Sequence, residues 1–198
     1  MQSLSPISTR LVKLGVSLSV MGIIFCRTAS MAENLAGLNV GDKAPPFDLK
    51  NQTGEFVKLT GLLQKGPVAV VFYRSADWCP FCQKHLVALQ EGLTEIKAAG
   101  LQLVGISYDP VEALDRFAKK RGIAFAMLSD PGSETIKAWK LLNAEAKGKG
   151  EGIPHPMTYI VDPTGVIRAK LGHEGYQLRH SAQELIEAAK PLTQKTKP

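Results

Sequence analysis

Two thiols separated by two residues, Cys79 and Cys82, stand in the stretch Tyr73-Arg74-Ser75-Ala76-Asp77-Trp78-Cys79-Pro80-Phe81-Cys82. A thiolate is the nucleophile of thiol–disulfide exchange. A second sulfur three positions on can close an intramolecular disulfide and release a covalent intermediate. Two other uses of the pair are weaker. A structural zinc needs four ligands at recognisable spacing, and the remaining candidates, His85, His155, His173 and His180, form no second tight pair. A purely structural disulfide across so small a loop removes little unfolded-chain entropy. The stretch therefore reads as a redox centre with Cys79 and Cys82 as its catalytic sulfurs. From a different class comes a copper-handling role, with the two sulfurs and His155 or His173 around Cu(I).

An apolar strand, Val68-Ala69-Val70-Val71-Phe72, runs into the motif. After it, Leu86, Leu89, Leu93 and Ile96 recur at three- and four-residue steps, which predicts a helix. The cysteines thus fall at a strand-to-helix junction, where unpaired N–H groups and the positive end of the helix dipole favour a thiolate. Asp77 is expected to cap this helix. Cys79, at the helix start, is the expected attacking sulfur, and Cys82 the one that releases the product. Pro80 and Phe81 bring no charge between them, so the direction of exchange stays open. Trp78 and Phe81 offer an apolar docking surface, and Arg74 a cation at the strand end.

The length, 198 residues, suits one domain with a proper core. Residues 1–32 contain no acid. Arg10 and Lys13 precede an apolar run from Leu14 to Cys26, and Ser30-Met31-Ala32 offers small residues for cleavage, which is the plan of a secretory signal. Export, to a periplasm, is the expectation. The run is short for a membrane span; an uncleaved anchor over residues 14–26, or a cytoplasmic chain starting at Met31, are the alternatives. Cleavage after Ala32 removes Arg10, Lys13 and Arg27 and no acid, which takes the formal charge from +6 to +3. So mild a surplus, without a basic stripe interleaved with aromatics, argues against nucleic acid as a partner. Residues 191–198 read as a frayed tail.

Phe47-Asp48-Leu49 and Glu55–Leu59 are strand signals around a hairpin turn, Asn51-Gln52-Thr53-Gly54. Leu101–Ser107 reads as a buried strand. Asp109-Pro110 starts a helix bearing Val111, Leu114, Phe117 and Ala118 that closes at Arg121-Gly122. Ala124–Leu128 follows as a strand, and Ser133–Leu142 as a helix with Ile136, Trp139 and Leu142 inward. Residues 144–152 have no apolar period and are expected to be a mobile surface loop. Strands at Met157–Val161 and Val166–Leu171 and a helix over 181–190 complete the chain. Such alternation implies an α/β domain with a largely parallel sheet and right-handed crossovers.

Trp78-Cys79-Pro80-Phe81-Cys82 after Val70-Val71-Phe72-Tyr73 resembles the thioredoxin superfamily. Three more pieces agree in order: Gly41-Asp42-Lys43-Ala44-Pro45-Pro46-Phe47, Leu128-Ser129-Asp130-Pro131, and Pro156-Met157-Thr158-Tyr159-Ile160-Val161-Asp162 with Gly165. Residues 38–190 thereby resemble the peroxiredoxin-like members of the alkyl hydroperoxide reductase/thiol-specific antioxidant (AhpC/TSA) family. The resemblance implies a thioredoxin-like fold, a central mixed, mostly parallel sheet flanked by helices, with an N-terminal strand extension. It implies a protein disulfide, a thiol client or a peroxide as partner, an upstream thiol electron donor, and no cofactor or metal.

By position, Pro156 matches the cis-proline that faces the redox cysteines in this superfamily and docks extended substrates, which puts His155 near the sulfurs. Peroxidases of the family place Thr or Ser three residues before the reactive Cys and an Arg beside it. Three before Cys79 stands Ala76, and three before Cys82 stands Cys79 itself; Pro156 takes the place expected of the Arg, and Arg74 is the available substitute. Thiol–disulfide exchange is therefore the expected activity. The alternative is a thiol peroxidase, one cysteine passing through sulfenic acid and the other resolving it.

Overall fold

The computed structural model describes residues 35–173 and 175–193. The leader expected over residues 1–32 lies outside them. Inside the sheet runs β3 (Val68–Phe72), whose five apolar residues are each at most 1 % exposed. Val68, Val70 and Phe72 enter one apolar layer, while Ala69 and Val71, followed by Tyr73, enter the other. A continuous apolar run is what burial on both faces demands, because side chains alternate across a strand.

On one side β3 pairs in parallel with β4 (Gln102–Ser107), and β4 in parallel with β5 (Ala126–Ser129). On the other side β6 (Met157–Val161) pairs antiparallel with β3, and β7 (Ile167–Leu171) antiparallel with β6. The expected N-terminal extension is the hairpin of β1 (Asp48–Asn51) and β2 (Phe56–Lys58), joined antiparallel to β5 through Lys50 and Ser129. The order across the mixed sheet is β2-β1-β5-β4-β3-β6-β7. Parallel pairing is thus confined to β3, β4 and β5, a narrower share than the alternation of elements implies. Helices α1 (Leu59–Leu63) and α5 (Glu134–Ala138) pack on one face. Helices α2 (Pro80–Glu91), α3 (Leu93–Ala98), α4 (Val111–Arg121) and α6 (Ala182–Thr193) pack on the other.

Several local expectations are corrected. The helix carrying Leu86 to Ile96 is broken at Gly92, which lies so close to Ala182 of α6 that a side chain there would overlap it. Helix α5 stops four residues earlier than its apolar period implies. Lys140 turns left-handed (φ 56°), its N–H bonds to the Lys137 carbonyl, and the Leu141 N–H returns to that of Ile136. This double closure ends a helix from its own backbone, and it puts Leu141 in the core in place of Leu142. Helix α6 continues through Pro191 to Thr193, past the expected end at Lys190, because Leu192 still packs on the core.

The 144–152 segment is tied down at two points. Tyr108 donates its hydroxyl to the Lys149 carbonyl (2.6 Å), and Ser133 donates to that of Gly152 (2.7 Å). A single 3-10 turn, Gly148–Gly150, forms around the first of them.

Candidate active site

The cysteine motif hangs from the carboxyl end of β3, the end at which open α/β sheets leave a crevice. One buried carboxylate shapes the loop that carries it. Asp109, just beyond β4, accepts from the Ser75 hydroxyl (2.7 Å), the Ala76 N–H (2.7 Å) and the Ser107 hydroxyl (2.9 Å). Burial pushes this carboxyl above its ordinary range, while these bonds pull it back. With the loop held, Cys79 becomes the N-cap of α2, and its sulfur accepts from the Cys82 N–H at 3.3 Å. Pro80 follows at the first helical position, where its missing N–H costs nothing. The cap is therefore Cys79; Asp77, the residue expected there, is exposed and faces Arg116 at 3.9 Å.

Cys79 and Cys82 are joined in a disulfide with a Cα separation of 5.3 Å. Both are buried, at 1 % and 0 % exposure. Arg179, from the connection between β7 and α6, points one terminal nitrogen at the Cys82 sulfur at 4.0 Å. Its Nε is buried without a partner. Burial, and then the charge of Arg74, lower the Arg179 guanidinium to about 10, still a cation at neutral pH. Beside the cysteine motif, the Arg74 guanidinium lies over the rings of Tyr176 (4.3 Å) and Trp78 (5.1 Å). Tyr176 in turn meets the Phe81 ring edge-on at 5.7 Å. Trp78 donates its indole N–H to Tyr108 (2.8 Å), the same hydroxyl that holds Lys149.

Arg74, Trp78, Cys79, Pro80, Phe81 and Cys82 lie together, linked by the Cys79–Cys82 disulfide and by the stacking of Arg74 over Trp78. The other two expected residues, His155 and Pro156, line the same groove as Arg74 and Trp78. Pro156 is buried but trans, since no peptide among the described residues is cis. His155 is exposed, with its backbone N–H bonded to the Leu141 carbonyl. Its side chain lines an open groove of about 560 Å³ together with Arg74, Trp78, Lys147, Lys149 and Tyr176. Among the described residues no group of three or more His, Cys, Asp or Glu side chains could hold a metal ion.

Behind the disulfide lies a pair of histidines that sequence reasoning passed over. His85, one helical turn after Cys82, packs edge-on against His180, with ring centres 4.8 Å apart. His180 bonds through Nε2 to the Thr158 hydroxyl (2.7 Å) and through Nδ1 to the Ser181 carbonyl (3.1 Å), which makes Nδ1 the protonated nitrogen. Both ring nitrogens of His85 are buried without a hydrogen-bond partner. The spacing of Cys82 and His85 on one helix face was the available signal for His85. Arg179 and Tyr176 had none, because a loop distant in sequence delivers them.

With this geometry in place, comparison with known proteins is informative. The AhpC/TSA family profile matches residues 40–170. Chloroplastic peroxiredoxin Q of Sedum lineare is 33 % identical over 150 residues, covering 76 % of this chain and 77 % of that protein. Peroxiredoxin Bcp of Escherichia coli K12 is 35 % identical over 131 residues, covering 66 % and 83 %. Among solved structures, peroxidoxin BcpB of Mycobacterium tuberculosis superposes with a TM-score of 0.67 at 25 % identity, over 81 % of this chain and 99 % of that one.

Proposed function

Because this chain belongs to the AhpC/TSA family and is a thiol-dependent oxidoreductase, we propose that it reduces hydroperoxides, with Cys82 as the sulfur that is oxidised and Cys79 as the sulfur that resolves it. The Cys82 thiolate attacks the peroxide O–O bond; its sulfur becomes a sulfenic acid, and the departing oxygen takes a proton and leaves as water or an alcohol. The Cys79 thiol then attacks the sulfenic sulfur, water leaves, and the disulfide forms. An external thiol donor returns two electrons and opens the disulfide again.

The observation that carries this reading is the Arg179 guanidinium at the Cys82 sulfur. A fixed cation there stabilises both the thiolate and the charge that develops on the departing oxygen. It answers the apparent loss of the family's arginine at Pro156, and by spacing the Cys79 sulfur takes the place of the family's hydroxyl. Exchange with a disulfide, the activity expected first, becomes the regenerating half of the cycle. The relatives' names favour this order, since they are peroxiredoxins.

Stopped-flow oxidation of reduced residues 33–198 by hydrogen peroxide, followed by tryptophan fluorescence, tests it. A fast phase lost in Cys82→Ser and retained in Cys79→Ser supports the assignment. Loss in Cys79→Ser with retention in Cys82→Ser reverses the two roles, and slow oxidation of the parent protein sinks the peroxidase reading. The basic and apolar pattern of residues 1–32 supports export of the enzyme. Fractionation of cells expressing the full chain, with mass measurement of its N-terminus, checks that separately.

A further inference from the structure

His85 is 6 % exposed, carries two hydrogen-bonding nitrogens and uses neither. The His180 backbone approaches the ring and pulls its pKa up a little, but not with the geometry of a hydrogen bond. A buried polar group without a partner costs on the order of 1–3 kcal/mol, so such a residue calls for an explanation. An apolar side chain of similar size fills the same space without that cost. The neighbours supply one. His85 stands one turn beyond Cys82 on the buried face of α2. The consecutive residues Arg179 and His180 touch Cys82 and His85 respectively. In the disulfide state the Cys82 sulfur carries no charge and is a poor acceptor. Reduction changes that.

We propose that His85 is a positioning residue for the redox couple, a neutral imidazole held behind Cys82 so that its N–H bonds the thiolate once the disulfide opens. This deepens the proposed function and rests on Cys82 being the sulfur that carries the charge. In the step concerned the Cys79–Cys82 bond breaks. A dithiol donor gives up two electrons and becomes a disulfide. One of its protons stays on Cys79 as a thiol, the other goes to solvent, and Cys82 is left as the thiolate.

The groups around His85 keep it neutral. Burial first, then His180 and Arg179, push it down to about 3. Arg74 stands beside Arg179, and His173 and Glu184 act on His180. A neutral imidazole has one donor, and a donor aimed at a charged sulfur stabilises the thiolate over the thiol. The same bond favours the reduced form and makes the disulfide a stronger oxidant.

The test is titration of Cys82 in a Cys79→Ser protein by the ultraviolet absorbance of its thiolate; serine keeps the N-cap. Adding His85→Leu is expected to raise the Cys82 pKa by about one unit, a roughly tenfold loss of thiolate at a pH below it. His85→Asn, which keeps an N–H, is expected to recover most of the loss. Circular dichroism confirms that each variant is folded. A Leu variant that titrates like its parent, or at lower pH, overturns the proposal whatever its effect on stability. No peroxide enters this experiment, so a protein that titrates as expected yet is oxidised slowly refutes the peroxidase reading alone.

Discussion

The Asp109 carboxylate accepts the backbone N–H of Ala76 at 2.7 Å across 33 residues of chain. This contact joins the end of β4 to the loop that presents the cysteines, so two adjacent strand ends of the sheet are locked at the site. Asp109→Asn keeps the size but replaces one acceptor oxygen with a donor. That donor then faces either the Ser75 hydroxyl or the Ala76 N–H together with the Ser107 hydroxyl. A cost of about 2–3 kcal/mol is expected, measured as a lower denaturant midpoint. A midpoint unchanged within error contradicts this role.

Arg179→Met removes the guanidinium from the Cys82 sulfur while keeping much of its apolar volume. Peroxide oxidation is expected to slow by roughly 10²-fold, the scale on which loss of one preorganised donor acts. Arg179→Lys should recover part of the rate, since a point charge replaces a planar fork. A Met variant as fast as the parent enzyme leaves the Cys82 assignment without its main support.

Tyr176 packs under the Arg74 guanidinium and against Phe81, which stands between two cysteines that solvent does not reach. Tyr176→Ala is expected to loosen this packing and open a path to the sulfurs. Reduction of the oxidised protein by dithiothreitol is expected to accelerate severalfold, since access is one of the determinants of exchange rate. Equal rates in the two proteins show that the ring is not the barrier.

Asp162 turns the chain between β6 and β7, accepting from Thr164 and Val166 and pairing with Arg168 at 2.6 Å. Burial by itself pushes its carboxyl up. The hydrogen bonds of Thr164, Val166 and Arg168 outweigh that and bring it to about 2, from an ordinary 3.8. A folded pKa below the unfolded one adds stability above pH 3.8, and this is lost as pH falls toward 2. Asp162→Asn is expected to be less stable than the parent protein at neutral pH. The gap between them should narrow through that acid window in urea denaturation. A gap that stays constant with pH rules out the carboxylate as its source.

Much of this protein follows from local pattern. The short apolar run Val68–Phe72, rich in β-branched valines, reads as a strand buried on both faces, and Cys79-Pro80 before the Leu86 and Leu89 repeat starts a helix. Placement of the sulfurs at a helix N-terminus follows from these two facts alone, since it depends on residues adjacent in sequence. Where the reading failed, a tertiary contact outweighed a local signal. The approach of Ala182 split the helix at Gly92, and the backbone closure at Lys140 moved the buried position from Leu142 to Leu141.

The identity of the groups around the sulfurs was decided by the tertiary structure. Arg179 lies 97 residues beyond Cys82 and reaches it only because β7 runs antiparallel to β6 and the following loop returns over α2. His85 is visible in the sequence as a neighbour of Cys82, but its unused nitrogens are a property of packing against His180. Periodicity reports which face of an element is buried. It carries no information about which distant loop covers that face, because that depends on the order of strands in the sheet.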